Sequence, residues 1–313
     1  METKMIYSAV IPVYNAAPVL EELHQRLVKV MESLGEPFEL IFVEDAGRDS
    51  SWEVLKKISE KDGRVIAIRL MRNFGQSSAV MCGMMQSQGE YIITIDDDLQ
   101  NPPEEIPKLI KTMNEMPDTD VVMGIPKAKR HSFLRRIGSD AVGKANSLIF
   151  KRNSSLKLSS FRIMKRGLAD HLKTFHLLGA SIDALICAVT AHIANVTVEH
   201  QERKCGKSGY TFALLIKQVM NNFMGFSVFP LRLLAALGLT GIFASFLFGA
   251  YLLCGYFFSD GHTVPGWLSL IVSVNFLSGF TFFAFGIVGE YLLKILHCTS
   301  RSSAFFIKEF AKK

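Results

Sequence analysis

The stretch Tyr91-Ile92-Ile93-Thr94-Ile95-Asp96-Asp97-Asp98-Leu99-Gln100-Asn101-Pro102-Pro103-Glu104-Glu105 reads as a buried strand that stops at three carboxylates, followed by a helix that starts at proline. The apolar run over 91–95 is continuous rather than alternating, the pattern of a strand covered on both faces of a parallel sheet. Pro103 suits the first position of a helix, and Glu104 and Glu105 fall in the first turn, where the helix dipole favours negative charge. Carboxylates at i and i+2 on an extended strand end can face one hard cation. Mg2+ or Mn2+ is typically held by one or two carboxylates together with substrate phosphates. The competing reading is a solvated acidic turn. The position after a buried strand, with Glu44 and Asp45 closing a neighbouring one, favours the cation.

The same alternation extends to both sides. Apolar runs predict strands over Ile6–Val13, Phe38–Val43, Val65–Leu70 and Asp120–Met123, and helical spacing predicts helices over Pro18–Leu34, Ser50–Ile58, Gln76–Met85 and Pro103–Met113. Helices between strands give βαβ units, and hence an α/β fold with a mostly parallel sheet. Ligands of such sheets lie beyond the carboxyl ends of the strands. Those ends are Pro12-Val13-Tyr14-Asn15, Glu44-Asp45, Arg72-Asn73 and Asp96-Asp97-Asp98, so several polar groups are expected along one edge.

The remainder of the 313 residues bounds the function. A net charge of +6 suits nucleic acid, anionic lipid or an anionic substrate. The basic runs at Lys127–Arg136, Lys144–Lys157 and the C-terminus lack the aromatic interleaving of a single-strand binder, which makes nucleic acid the weaker partner. Five cysteines are scattered without a CxxC pair, against a structural zinc or a disulfide framework. There is no GxGxxG after the first strand, no GxxxxGK[ST] and no HExxH. No signal-peptide pattern opens the chain, so the first domain is expected in the cytoplasm.

From Phe229 to Leu293 the sequence is nearly free of charge. Leu231–Phe257 and Trp267–Leu293 each exceed the roughly 20 apolar residues that a bilayer core needs. The loop Phe258–Gly266 has no Lys or Arg, whereas the tail carries Lys294, Arg301, Lys308, Lys312 and Lys313. By the positive-inside rule both the tail and the first domain face the cytoplasm. Residues 132–150 and 211–229 are amphipathic. Each suits a core helix, and the second, which feeds straight into the first span, equally suits the bilayer interface. The segment Gln201–Tyr210, after a predicted strand Asn195–Glu199, combines cations, glycine and hydroxyls. It reads as an exposed linker or as a loop that closes on a diphosphate.

Taken together, Pro12-Val13-Tyr14-Asn15, Val43-Glu44-Asp45, Arg72-Asn73-Phe74-Gly75-Gln76, the run from Asp96 to Pro107, Phe161-Arg162, Glu202-Arg203 with Gly206, Ser208 and Tyr210, and Gly289-Glu290-Tyr291 resemble the family 2 glycosyltransferases. The resemblance is to the polyprenyl-phosphate branch, which includes dolichol-phosphate mannose synthase, bactoprenol glucosyltransferases and the undecaprenyl-phosphate 4-deoxy-4-formamido-L-arabinose transferase. It implies a Rossmann-like GT-A catalytic domain over 1–210, an interfacial helix over 211–229, two transmembrane helices within 230–293 and a basic cytoplasmic tail over 294–313. It further implies Mg2+ or Mn2+ on Asp96 and Asp98, and catalysis by Asp96, Asp97, Asp98 and Arg203. The nucleotide-sugar, UDP-linked by the same resemblance, would meet Pro12, Tyr14, Asn15, Asp45, Asn73, Gln76, Asp96, Arg203, Ser208 and Tyr210. The lipid phosphate would meet Lys127, Lys129, Arg135 and Arg136. The implied product is a polyprenyl-monophosphate sugar for cell-envelope glycan modification, with a flippase and a periplasmic transferase downstream and a homo-oligomer as one possible assembly.

The chain departs from the family pattern at several positions. Ala16 stands where the family usually has glutamate, Glu44-Asp45-Ala46-Gly47 replaces Asp-Asp-Gly-Ser, Ser160 replaces an aspartate before Phe-Arg, Ser208-Gly209-Tyr210 replaces Ser-Lys-Tyr, and Pro126-Lys127 stands where an arginine is expected. Ser160 removes one proposed base. Chemistry tolerates that loss, because a phosphate monoester with a second pKa near about 6 is already mostly dianionic at neutral pH. Two rivals remain on the sequence: a processive polysaccharide synthase, opposed by Gln201-Glu202-Arg203-Lys204 in place of Gln-x-x-Arg-Trp and by only two spans, and a non-catalytic membrane adaptor, opposed by the intact Asp96–Asp98 run.

Overall fold

The computed structural model describes residues 5–127, 156–174, 181–201, 266–299 and 305–313, with single helical positions between 234 and 250. The chain divides into two compact units, Met1–Asn222 with Arg301–Lys313, and Phe223–Ser300.

The first unit is built on a sheet whose central strands are buried along their whole length. In β1 (Tyr7–Val13) and β2 (Phe38–Glu44) all seven residues are buried, which is why both read as continuous apolar runs. They pair in parallel from Tyr7↔Phe38 to Val13↔Glu44. Strand β3 (Val65–Leu70) lies beyond β2 and β4 (Tyr91–Thr94) beyond β1, both parallel. Four parallel strands therefore end at one edge. Helices α1 (Ala17–Ser33), α2 (Ser51–Lys61) and α3 (Gln76–Gln86) connect them, and α4 (Ile106–Glu115, entered through a 3-10 turn at Pro103–Glu105) leads on from β4. Helix α1 buries Val19, Leu20, Leu23, Leu27, Val30 and Met31, the stripe its spacing predicts. One buried acid in this core is held through a single oxygen: Glu39 Oε1 accepts from Ser8 Oγ and from the Gln88 amide, both at 2.6 Å.

The sheet is mixed rather than mostly parallel. Its order is β7-β5-β6-β4-β1-β2-β3-β8, and four of its seven pairings are parallel. Strand β5 (Val121–Pro126) does not join β4. Between them lies β6 (Arg162–Lys165), antiparallel to both. Helices α5 (Arg166–Lys173) and α6 (Ile182–Val189) follow, and β7 (Ile193–Val198) pairs in parallel with β5. The antiparallel course of β6 carries its N-terminal end, with Ser160 and Phe161 just before it, to the edge where β4 ends. The last strand, β8 (Ile307–Lys312), returns from the C-terminus to pair antiparallel with β3.

The second unit contains α7 (Trp267–Thr299), 33 residues long. Among the described residues no helix is long and apolar enough to cross a membrane. Of the side chains described on α7, Leu270, Val274, Leu277, Phe285, Leu292 and Ile295 are exposed. The predicted amphipathic stretches 132–150 and 211–229, and nearly all of the first predicted span, lie outside the described residues.

Close packing of α3 against β1 depends on Gly83, where an added Cβ would overlap Val10 Cγ1. Gly83→Ala is expected to lower stability by about 1–3 kcal/mol through overpacking. Gly167→Ala in α5, where nothing lies within 4 Å of the added Cβ, should leave the thermal midpoint unchanged or raise it. Melting of the two variants side by side checks both.

Candidate active site

Three non-glycine residues adopt left-handed backbone, Asn15 (φ 52°), Ala46 (φ 50°) and Leu99 (φ 58°); Asn15 lies two residues past β1, and Ala46 and Leu99 directly follow the acidic residues after β2 and β4. Such conformations cost about 1 kcal/mol or more and persist where the surroundings hold them. Here the surroundings are hydrogen bonds between strand ends. The Tyr14 amide donates to Asp97 Oδ2 at 2.9 Å, joining β1 to β4. The Asp45 amide donates to the Val13 carbonyl at 2.9 Å, joining β2 to β1. Asp45, only 3% exposed, accepts the Phe74 and Gly75 amides, both at 2.7 Å, which joins β2 to the turn after β3. Burial pushes the Asp45 carboxyl up, and those two amides pull it back.

The departures from the family pattern at Glu44 and Gly47 form a matched pair. Glu44 is buried, its Oε1 accepts the Gly47 amide, and its Oε2 lies 3.1 Å from Arg69 Nε. A Cβ on residue 47 would stand 2.9 Å from Asn15 Oδ1 and 3.0 Å from Glu44 Oε1. The longer acid at 44 thus occupies the space that a side chain at 47 would use. Asn15 Oδ1 also accepts the Arg48 amide at 2.7 Å. Ala16 is buried in the core and its amide donates to Ser51 Oγ at 2.9 Å.

The acidic run sits half-buried at the centre of this edge. Asp96 is gripped from both sides, by Gln76 Nε2 on Oδ1 at 2.6 Å and by Ser160 Oγ on Oδ2 at 2.5 Å. The Gln100 amide donates to Asp98 Oδ1 at 3.0 Å. Burial raises the pKa of Asp96, and Asp98 and Asp183 add to it. Asp97 is pushed up to about 7 by burial, with Asp96 and Asp98 reinforcing the shift and the Tyr14 amide opposing it. Like charges forced together in this way are relieved by a cation. Among the described residues no three His, Cys, Asp or Glu side chains form a complete cage.

Beside the run lies an ion pair between a buried arginine, already singled out in Phe161-Arg162, and a half-buried aspartate that sequence reasoning missed. Arg162, 4% exposed, stands 2.7 Å from Asp183 Oδ1 and donates from Nε to Thr94 Oγ1 at 3.2 Å. Asp183 occupies the first turn of α6, whose cap is Ser181; that cap pattern was the only local signal. The far end of β7 reaches the same region, where the Gln201 amide donates to the Gln100 carbonyl at 2.8 Å. The edge therefore gathers Tyr14, Asn15, Asp45, Asn73, Gln76, Asp96, Asp97 and Asp98, with Pro12 buried in β1 just behind it. Lys127 is exposed at the end of β5, its amide donating to the Val198 carbonyl at 3.2 Å. Arg203, Ser208, Tyr210, Lys129, Arg135 and Arg136 lie outside the described residues.

A sequence model of Glycosyl transferase family 2 matches residues 8–173. The undecaprenyl-phosphate 4-deoxy-4-formamido-L-arabinose transferase of Pseudomonas paraeruginosa (strain DSM 24068 / PA7) is 33% identical over 313 residues, covering 98% of this chain and 91% of that protein. An uncharacterised glycosyltransferase of Bacillus subtilis (strain 168) is 33% identical over 296 residues, 94% of this chain and 91% of its own. Among solved structures, glucosyl-3-phosphoglycerate synthase from Mycobacterium tuberculosis, in complex with Mn2+, UDP and phosphoglyceric acid, matches with a TM-score of 0.55 at 14% identity. That match covers 70% of this chain and 78% of the other, and at such identity the likeness is one of fold.

The matched pair at 44 and 47 makes a prediction. Gly47→Ser alone should lower the thermal midpoint, because Oγ would crowd Asn15 and Glu44. Adding Glu44→Asp should recover part of the loss, with a coupling of about 0.5–2 kcal/mol in a double-mutant cycle. Strict additivity would show that the two departures are independent.

Proposed function

The chain belongs to glycosyl transferase family 2, and from that premise we propose that this glycosyltransferase moves a sugar from a nucleotide-sugar, UDP-linked, onto undecaprenyl or another polyprenyl phosphate. The observation that carries the reading is the convergence of Tyr14, Asp45, Gln76 and the Asp96–Asp98 run on one sheet edge. The relatives' names supply the acceptor class. Equal identity to a formamido-arabinose transferase and to a glycosyltransferase with no named sugar leaves the sugar open.

Each residue at the edge has a physical task in this reading. Tyr14, 47% exposed, offers a ring face to the base. Asp45, buried with each carboxylate oxygen holding an amide, fixes the Phe74–Gly75 turn beside the place where the base and ribose would lie. Asp96 and Asp98 would hold Mg2+ or Mn2+. A divalent ion there neutralises charge on the departing diphosphate. Gln76 and Ser160 fix the Asp96 carboxylate, so that little reorganisation is left for the moment of reaction. The Ser160 hydroxyl is engaged on Asp96, which fits a reaction without a base from that position. The acceptor phosphate is already anionic, and the site's work is to aim its oxygen at the anomeric carbon. A single in-line displacement inverts that centre. Arg203 and Ser208 would close on the diphosphate, and Lys127, Lys129, Arg135 and Arg136 would receive the lipid phosphate.

The same reading places the catalytic unit on the cytoplasmic face of a membrane, held by spans at 231–257 and 267–293 and by an interfacial helix at 211–229. Two observations support it. The exposed apolar side chains of α7 need a non-aqueous cover. The chain leaves the sheet after β7 and re-enters it as β8, so any passage between them crosses a bilayer an even number of times.

A donor screen on detergent-purified protein tests the proposal, with undecaprenyl phosphate, Mg2+ or Mn2+, and mass spectrometry of the lipid product. One nucleotide-sugar should be converted, and conversion should stop with EDTA. Asp98→Ala should lower kcat by about 100-fold or more with an unchanged melting temperature. Activity within a few-fold of wild type would sink the role given to Asp98.

A further inference from the structure

The C-terminal strand does more than close a sheet edge. Its ladder on β3 runs from Ile66↔Lys312 through Arg69↔Glu309, then shifts register before Leu70↔Ile307. Beyond the shift the pairing continues past the end of β3, with the Met71 amide donating to the Phe306 carbonyl at 2.8 Å. Phe306 thereby lies against the turn between β3 and α3. Its ring meets that of Phe74 at a centroid distance of 6.2 Å, and the Arg72 guanidinium stands 4.8 Å from the same Phe74 ring. The amides of Phe74 and Gly75 are the two that hold Asp45.

A second line of contacts leads from the same strand to the neighbouring acid. Glu309 Oε2 accepts from Trp52 Nε1 at 2.8 Å. Trp52 is buried, and the Arg69 guanidinium lies 5.8 Å from its ring. Arg69 in turn pairs with Glu44, which holds the Gly47 amide. One line starts on β8 at Glu309, the other on Phe306 just before it, and they end on the adjacent residues Glu44 and Asp45.

We propose that β8 is a positioning element of the donor site, with Phe306 setting the Phe74–Gly75 turn and Glu309 setting the Trp52–Arg69–Glu44 chain. The proposal rests on the reading above in which the Asp45 edge binds the nucleotide. Covering an edge strand is the ordinary use of such a segment, and it would affect stability alone. Phe306 is 52% exposed, so its ring contributes little to the core. Its contact with Phe74 is where it acts. Phe310, within β8 itself, is 50% exposed and supplies the control for edge covering.

The test uses the full chain in detergent with undecaprenyl phosphate and the donor found in the screen, alongside calorimetric binding of UDP and GDP. Phe306→Ala should raise KM for the nucleotide-sugar by roughly three- to tenfold, the weight of one aromatic pair. Both kcat and the KM for lipid should stay within about twofold. Phe306→Tyr should restore most of the loss, and Phe310→Ala should not reproduce it. Glu309→Ala should shift the same constant and Glu309→Gln, which keeps an acceptor for Trp52, should shift it less. Wild type that binds nucleotide while Phe306→Ala matches it overturns the positioning role alone. So does a variant whose melting point falls with no selective change in donor KM. Wild type that binds neither nucleotide overturns this proposal together with the reading beneath it.

Discussion

The structure depends on keeping several carboxylates together at one sheet edge. Glu44, Asp45, Asp96, Asp97 and Asp98 cluster at the ends of two parallel strands that flank β1, and burial pushes up the pKa of the first four. Charge concentrated in this way is tolerated only when donors are aimed at it. The donors come from the neighbouring ends: the Tyr14 amide on Asp97, the Phe74 and Gly75 amides on Asp45, and Gln76 and Ser160 on Asp96. The left-handed turns at Asn15, Ala46 and Leu99 are the backbone cost of aiming those groups. In the proposed function the repulsion that remains would be relieved by a divalent ion, which would in turn carry the diphosphate.

The same constraint explains how the chain departs from its family without losing the site. Glu44 is longer than the usual aspartate and is matched by Gly47, whose missing side chain makes room for it. Ser160 replaces an acid with a hydroxyl that donates to Asp96. One negative charge fewer at that point, next to Asp96 and the Arg162–Asp183 pair, eases the crowding. Both changes alter how the carboxylates are held and leave the Asp96–Asp98 run in place.

Much of this was legible in the sequence because it is local. The runs at 7–13 and 38–44, the helical stripe from Val19 to Met31 and the carboxylates after Thr94 each follow from a period or an end signal a few residues long. What was not legible is pairing between distant segments. Arg162–Lys165 is four residues flanked by charge, and nothing in its composition says that it separates β4 from β5. Lys308, Glu309 and Lys312 made the last strand look like a solvated basic tail, whereas its backbone pairs with β3 and its Glu309 reaches Trp52. Asp183 carried only a helix-cap pattern, and its meaning comes from Arg162, which lies on a different element.

The most direct measurement of the central claim is Mn2+ binding to the purified chain, followed by its paramagnetic signal with and without UDP. Two carboxylates offer an incomplete shell, so the account predicts weak binding of the ion alone, tightened about tenfold or more by UDP, with UDP tightened equally by the ion because linkage is reciprocal. Mn2+ that binds with the same affinity whether or not UDP is present would contradict the claim that this acidic edge is built to hold a cation and a diphosphate together.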